Sequence, residues 1–137
     1  AVRRVGGREA REQPRAQDGR EQLRGRLGAR GGVELVELQP DSPFHGLEGL
    51  KHMESALVPT VWDPELADRR IGVPTEEAYD VVRRLARHGV LIGPSGGAAL
   101  WGAIAVAQTL RTGIIVTVFP DSGLRYLSDR HLWEVGS

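Results

Sequence analysis

Residues 90–102 read VLIGPSGGAALWG, an apolar run, a glycine-rich turn with one serine at its tip, and then a small-residue apolar stretch. The pattern predicts a strand, a tight turn and a helix, with Val90-Leu91-Ile92 as the strand and a helix from about Gly97 to Leu110. Residues 114–119 (IIVTVF) are nearly all β-branched and predict a second strand, ended by the turn Pro120-Asp121-Ser122-Gly123. Strand, helix and strand together make a βαβ unit, which needs a parallel sheet and a right-handed crossover. Ligands of such sheets sit beyond the carboxyl ends of the strands, so Ser95 and Asp121 are expected to share one cleft edge.

The chain around this unit divides in two. Residues 1–32 hold nine arginines against four acids, a net +5, with seven glycines and few apolar residues. Too little apolar surface is available there to offset an ordering cost of roughly 1–2 kcal/mol per residue, so this segment is expected to be disordered. Its arginines have no interleaved aromatics for base stacking, which argues against nucleic-acid binding. From Val33 the composition changes, and residues 33–137 read as one α/β domain. Val33–Leu38 predicts a strand, and 46–58 predict a helix with Leu47, Leu50, Met53, Ala56 and Leu57 on one face, weakened by Gly49. Val61–Arg70 reads as an irregular connector. Thr75-Glu76-Glu77 opens a further helix that Gly89 stops, with Thr75 as cap, an apolar stripe of Ala78, Val81, Val82 and Leu85, and Arg83, Arg84 and Arg87 facing water. In the helix after Ser95 the packed side is expected to be Ala99, Leu100, Ala103, Ile104 and Ala107.

The 137 residues include no cysteine, so disulfide and thiolate chemistry are excluded. The four histidines (His45, His52, His88, His131) show no paired metal-ligand spacing, and no metal site is expected. No run of eighteen apolar residues occurs, and no membrane partner is expected. These features point to a soluble, cytoplasmic protein.

Ser95 has three readings. As a helix cap it would satisfy backbone N–H groups for about 0.5–2 kcal/mol. As a nucleophile it would use Gly93-Pro94-Ser95-Gly96-Gly97, a G-x-S-x-G elbow, with Asp121 and His131 following in triad order. Against that stand the short separation of ten positions from Asp121 to His131, the lack of an oxyanion-type glycine segment upstream, and Pro94 before the serine. As a ligand-holding hydroxyl it would face something bound at the start of the helix.

The third reading is favoured by a resemblance. The segments VELVELQPDSP, HGLEGLKHMESALVP, TEEAYDVVRRLARHGVLIGPSGGAALWGA and VTVFPDSGLRYLS, in this order, resemble the C-terminal part of cysteine synthases. These are pyridoxal-phosphate enzymes of the tryptophan-synthase-β-like fold, fold type II. The resemblance covers residues 33–137 and implies part of a three-layer α/β fold with a parallel sheet.

It also implies that Ser95 hydrogen-bonds the pyridine nitrogen of pyridoxal 5′-phosphate, with Gly93 in the same cofactor loop. A hydroxyl donates to that nitrogen without protonating it, which leaves a weaker electron sink suited to β-elimination and β-replacement. By the same resemblance Gly49 approaches the substrate. Lys51, the only lysine, is a candidate for an anionic substrate group, and the 120–123 turn lies near the ring with a mainly structural role.

The implied activity is β-replacement of O-acetylserine or O-phosphoserine by sulfide to give L-cysteine in a homodimer, with cystathionine β-synthase chemistry as an alternative. The lysine that holds the cofactor covalently, the substrate-carboxylate segment and the phosphate loop of the family are not found in this sequence. The chain is therefore expected to be a C-terminal fragment, inactive and marginally stable alone, with a non-catalytic interaction role as a further alternative. Residues 1–32, where the phosphate loop would fall, are expected to be an out-of-frame or miscalled segment.

Overall fold

The structure, a computed structural model, describes residues 33–54 and 62–134. The expected disorder of 1–32 and the end of the expected 46–58 helix lie outside these residues. The architecture is α/β, a parallel two-stranded sheet packed against helices. Strand β1 (Val36–Pro40) pairs in parallel with β2 (Arg69–Val73), in the register Val36 to Arg69 through Pro40 to Val73. Helix α1 (Thr75–Arg87) follows β2, and α2 (Pro94–Ala107) packs against α1. A 3₁₀ turn (Gly123–Tyr126) and a short helix α3 (Arg130–Trp133) complete the described elements.

The parallel sheet expected from the sequence is present, but it is built by the strand expected over 33–38, shifted to 36–40, and by one not expected. Residues 69–70, read as connector, begin β2. Two adjacent arginines conceal a strand in a pattern search, yet both are matched across the ladder. Arg69 pairs with Glu34 at 3.1 Å and Arg70 with Glu37 at 2.7 Å. Arg70 also lies over the Trp62 ring, 5.5 Å from its centroid, while the Trp62 indole N–H donates to Glu37 at 2.8 Å. Asp68 extends the pairing by accepting from the Leu35 amide at 2.8 Å.

The expected strands at 90–92 and 114–119 do not form a ladder. Ile92 makes one isolated antiparallel bridge, to Ser122. Residues 114–119 have no strand partner among the described residues, and Ile114, Val116 and Val118 are 92%, 85% and 71% exposed. β-branched residues favour extended backbone, but strand identity needs a neighbour to accept the backbone hydrogen bonds.

The expected helix over 46–58 is also absent within 46–54, which form turns. Gly49 sits at φ 85°, a left-handed conformation that breaks a helix. Gly46 is held from outside the segment, its N–H donating to Thr75 Oγ1 at 3.2 Å and its carbonyl accepting from the Tyr79 hydroxyl at 2.7 Å. Thr75 is therefore not the cap of α1. Pro74 occupies that position without a side-chain bond. Gly89, at φ 80°, stops α1 as expected, its N–H reaching the Ala86 carbonyl at 2.9 Å. Arg83 does not face water. Its guanidinium is largely buried, donates to the Leu132 carbonyl at 3.2 Å and pairs with Glu76 at 3.6 Å.

Helix α2 starts three residues before the expected Gly97 and packs through small residues. Gly96, Gly97, Ala98, Gly102 and Val106 are buried, whereas Ile104 is 45% exposed and Ala107 is exposed. A Cβ at Gly97 would lie 2.5 Å from the Ala78 carbonyl oxygen and 2.6 Å from Val82 Cγ2, so α1 and α2 meet almost backbone to backbone. Gly102 meets the Leu38 side chain of β1 in the same way. The core joins Leu47, Val73, Ala78, Tyr79, Val82, Ile92, Ala98 and Leu132.

Gly97→Ala should lower stability by about 1–3 kcal/mol, the usual cost of overpacking, despite alanine's better helix propensity. A urea titration checks this. An unchanged or raised midpoint would contradict the close approach of α1 and α2.

Candidate functional site

Ser95 lies one residue inside the start of α2. Gly93 is the N-cap, with extended backbone (φ −76°, ψ 172°), and Pro94 is the first helical residue. No side chain caps α2, so the cap reading of Ser95 does not hold. The half-buried serine has no hydrogen-bond partner for its hydroxyl among the described residues.

The turn that carries Ser95 packs against 121–126 and brings Gly93 and Asp121 together, although the strand–helix–strand unit expected to bring Ser95 and Asp121 to one edge does not form. The Gly93 N–H donates to the Asp121 carbonyl at 3.2 Å, and the Gly123 N–H to the Leu91 carbonyl at 3.2 Å. A side chain at Gly93 would overlap the Asp121 carboxylate and come within 2.8 Å of Tyr126 Cε2. At Gly123 a Cβ would sit 2.8 Å from the Ile92 carbonyl oxygen. The Tyr126 hydroxyl donates to Asp121 Oδ2 at 2.6 Å, whereas Asp121 Oδ1 is buried with no partner. The bond to Asp121, with burial second, raises the Tyr126 phenol above its ordinary value.

An open groove of about 620 Å³ has a lining that does not include the Ser95 turn. Residues 45–50 line it together with Thr75, Glu76, Tyr79, Asp129 and His131. Gly49 is on this groove, whereas Ser95, Gly93 and Lys51 are not among its lining residues. Lys51 is exposed. Burial, then the nearby charge of Asp129, raises the Tyr79 phenol, and His45 Nδ1 is buried without a partner. Sequence reading missed Tyr79 and Thr75, which join this groove to α1. Their spacing of four on one helix face was the available signal.

The triad suggested by residue order is not assembled. Asp121 is engaged by Tyr126, and exposed His131 lies on the groove that Ser95 does not line. Among the described residues no cluster of His, Cys, Asp or Glu is arranged to hold a metal ion, and no helix is long and apolar enough to cross a membrane.

A hydroxyl at a helix start with no partner among the described residues and a glycine turn backed by a half-buried carboxylate suit a ligand-holding loop. Residues 34–121 match the family model described as pyridoxal-phosphate dependent enzyme. The chain belongs to this family. It is 46% identical over 101 residues to cysteine synthase of Aquifex aeolicus, covering 70% of this chain and 31% of that protein. The cysteine synthase (OASS) of Entamoeba histolytica shares the fold, with a TM-score of 0.72 at 23% identity over 86% of this chain and 36% of that one. An O-acetylserine dependent cystathionine β-synthase from Helicobacter pylori superposes with a TM-score of 0.65 at 29% identity, over 80% of this chain and 37% of its own. The chain thus spans about a third of the length of the relatives it matches. Family membership brings pyridoxal phosphate as the group to test against the site. The Ser95 hydroxyl, without a partner among the described residues, is a donor compatible with such a group, whereas the face of Gly93 is filled by Asp121 and Tyr126.

Absorbance titration of the two tyrosines, Tyr79 and Tyr126, should give midpoints above the ordinary value of about 10 for both. Asp121→Ala should bring Tyr126 down toward 10 and leave Tyr79 in place. Both folded-state values are raised, so the associated stability is complete below pH about 10 and is lost as pH rises through the folded midpoints. Denaturation midpoints on either side of pH about 10 should show that fall, and a flat profile would contradict it.

Proposed function

We propose that residues 33–137 are the part of a cysteine synthase-like enzyme that holds the pyridine end of pyridoxal phosphate, through Ser95 and Gly93. The observation that carries this reading is the Ser95 hydroxyl, positioned in the first turn of α2 with no hydrogen-bond partner among the described residues. Pyridoxal phosphate, when bound, supplies the electron sink for proton loss at Cα and departure of the β-substituent. Ser95 donates to the ring nitrogen without protonating it. Gly49, on the groove, is where the substrate backbone approaches, and Lys51 meets an anionic substrate group. The activity of the whole enzyme is β-replacement of O-acetylserine or O-phosphoserine by sulfide to give L-cysteine, in a cytoplasmic homodimer.

Alone, the chain is inactive, because its sequence carries no family lysine for covalent attachment and no phosphate loop. The similarity to the Helicobacter cystathionine β-synthase supports a second reading, in which a larger thiol replaces sulfide.

The test is a chimera in which this chain's residues replace the matching segment of the Aquifex enzyme. It should make cysteine from O-acetylserine and sulfide, and Ser95→Ala should lower kcat about ten- to a hundredfold, the weight of a lost ligand hydrogen bond. The 137-residue chain alone should give neither cysteine nor the visible absorbance of a lysine-bound cofactor. Ester hydrolysis by the isolated chain, abolished by Ser95→Ala, would defeat the proposal, as would a chimera indifferent to that substitution.

A further inference from the structure

The turn that presents Ser95 has little regular structure to fix it. Ile92 makes one bridge, the N-cap glycine offers no side chain, and α2 begins without a capping bond. What fastens the turn is a set of contacts with residues 121–126. Asp121 accepts the Gly93 N–H through its backbone carbonyl, and its carboxylate lies over the face of Gly93 where a side chain would stand. The first hydrogen bond of α2, from the Gly97 N–H to the Gly93 carbonyl at 3.0 Å, starts from the same residue.

The carboxylate is itself held at one oxygen. Tyr126 donates to Oδ2, and the Tyr126 carbonyl is tied to α3 by the Trp133 indole N–H at 2.7 Å. The chain of contacts therefore runs from α3 through Tyr126 and Asp121 to Gly93, two residues before Ser95. A lost link would free the Gly93 carbonyl and the first turn of α2 and leave its body, packed on β1 at Gly102, in place.

We propose that Asp121, held by Tyr126, is a positioning residue that fixes the Gly93 turn and so aims the Ser95 hydroxyl in one orientation at the pyridine nitrogen. This inference rests on the Ser95 role proposed above and names the residues that set its aim. Tyr126→Phe is the decisive variant, because the ring still fills the space at Gly93 while the hydroxyl is lost. Asp121→Ala removes the carboxylate, and Asp121→Asn keeps an acceptor for Tyr126.

The experiment is NMR on the full 137-residue chain. The Ser95 side-chain rotamer is read from three-bond couplings, and amide exchange is followed at Gly97 and, as a control in α1, at Val82. Wild type should show a single Ser95 rotamer. In Tyr126→Phe and Asp121→Ala the couplings should become averaged and Gly97 exchange should rise about tenfold, the weight of one hydrogen bond, with Val82 unchanged. Asp121→Asn should stay close to wild type.

Unchanged couplings and Gly97 exchange in both disruptive variants would overturn the inference. So would an averaged rotamer in wild type, or a parallel rise at Val82, which marks general destabilisation. Those results leave the proposed function standing, whereas a chimera indifferent to Ser95→Ala would remove that function and this inference with it.

Discussion

The contact on which the rest of the structure depends is the one at Gly97, where α2 meets α1 with no side chain between them. Ala78 and Val82 occupy the space that a Cβ would take. A glycine inside a helix costs about 1 kcal/mol in propensity, and close packing offsets that through dispersion contacts along both helices. Once α2 lies this near α1, Gly102 comes against Leu38 of β1, and the helix is fixed between its partner helix and the sheet. The N-terminus of α2 then has one place to start. The glycines of GPSGGAALWG thus have separate duties: Gly93 admits Asp121, Gly97 admits α1 and Gly102 admits β1.

How far the fold could be read from sequence follows from what each signal depends on. Helix α1 was legible because its stripe, its acidic first turn and Gly89 are local features. Strand β2 was not, because Arg69 and Arg70 look like surface charges until Glu34 and Glu37 are placed across the ladder. The 46–54 segment has helical spacing of leucines, but Gly49 and the two bonds that hold Gly46 override it. For α2 the apolar spacing selected Ala99, Leu100, Ala103, Ile104 and Ala107, whereas the buried face is that of Gly97, Ala98, Gly102 and Val106, where glycines admit the neighbouring elements. Periodicity reports hydrophobicity, and this interface is chosen by size.

The site divides along the same line. The sequence pattern placed Ser95 and Asp121 at one edge on the strength of a strand–helix–strand unit whose strands do not pair, and what meets is Gly93 and Asp121 through backbone N–H and carbonyl. The bond between Tyr126 and Asp121 was not legible, because nothing local says which acid a tyrosine will reach. The groove at Gly49 draws residues from three separate stretches, 45–50, 75–79 and 129–131, and no single motif marks it. Family membership came from the order of motifs, a signal that survives even where element boundaries are misplaced.

The placement of Asp121 bears on why a hydroxyl is the group left to face a ligand. A carboxylate beside a pyridine nitrogen favours the protonated ring, and a carboxylate does lie in this turn. Its Oδ2 is occupied by Tyr126, and the group lies over Gly93, in space a side chain there would fill. The acid is held at one oxygen by Tyr126, with Oδ1 buried against the turn, while Ser95 keeps a donor with no partner among the described residues. On the proposed reading this division keeps the ring neutral and the electron sink moderate, as β-replacement needs. Gly93 is what permits it, since any side chain there would displace the carboxylate from the turn.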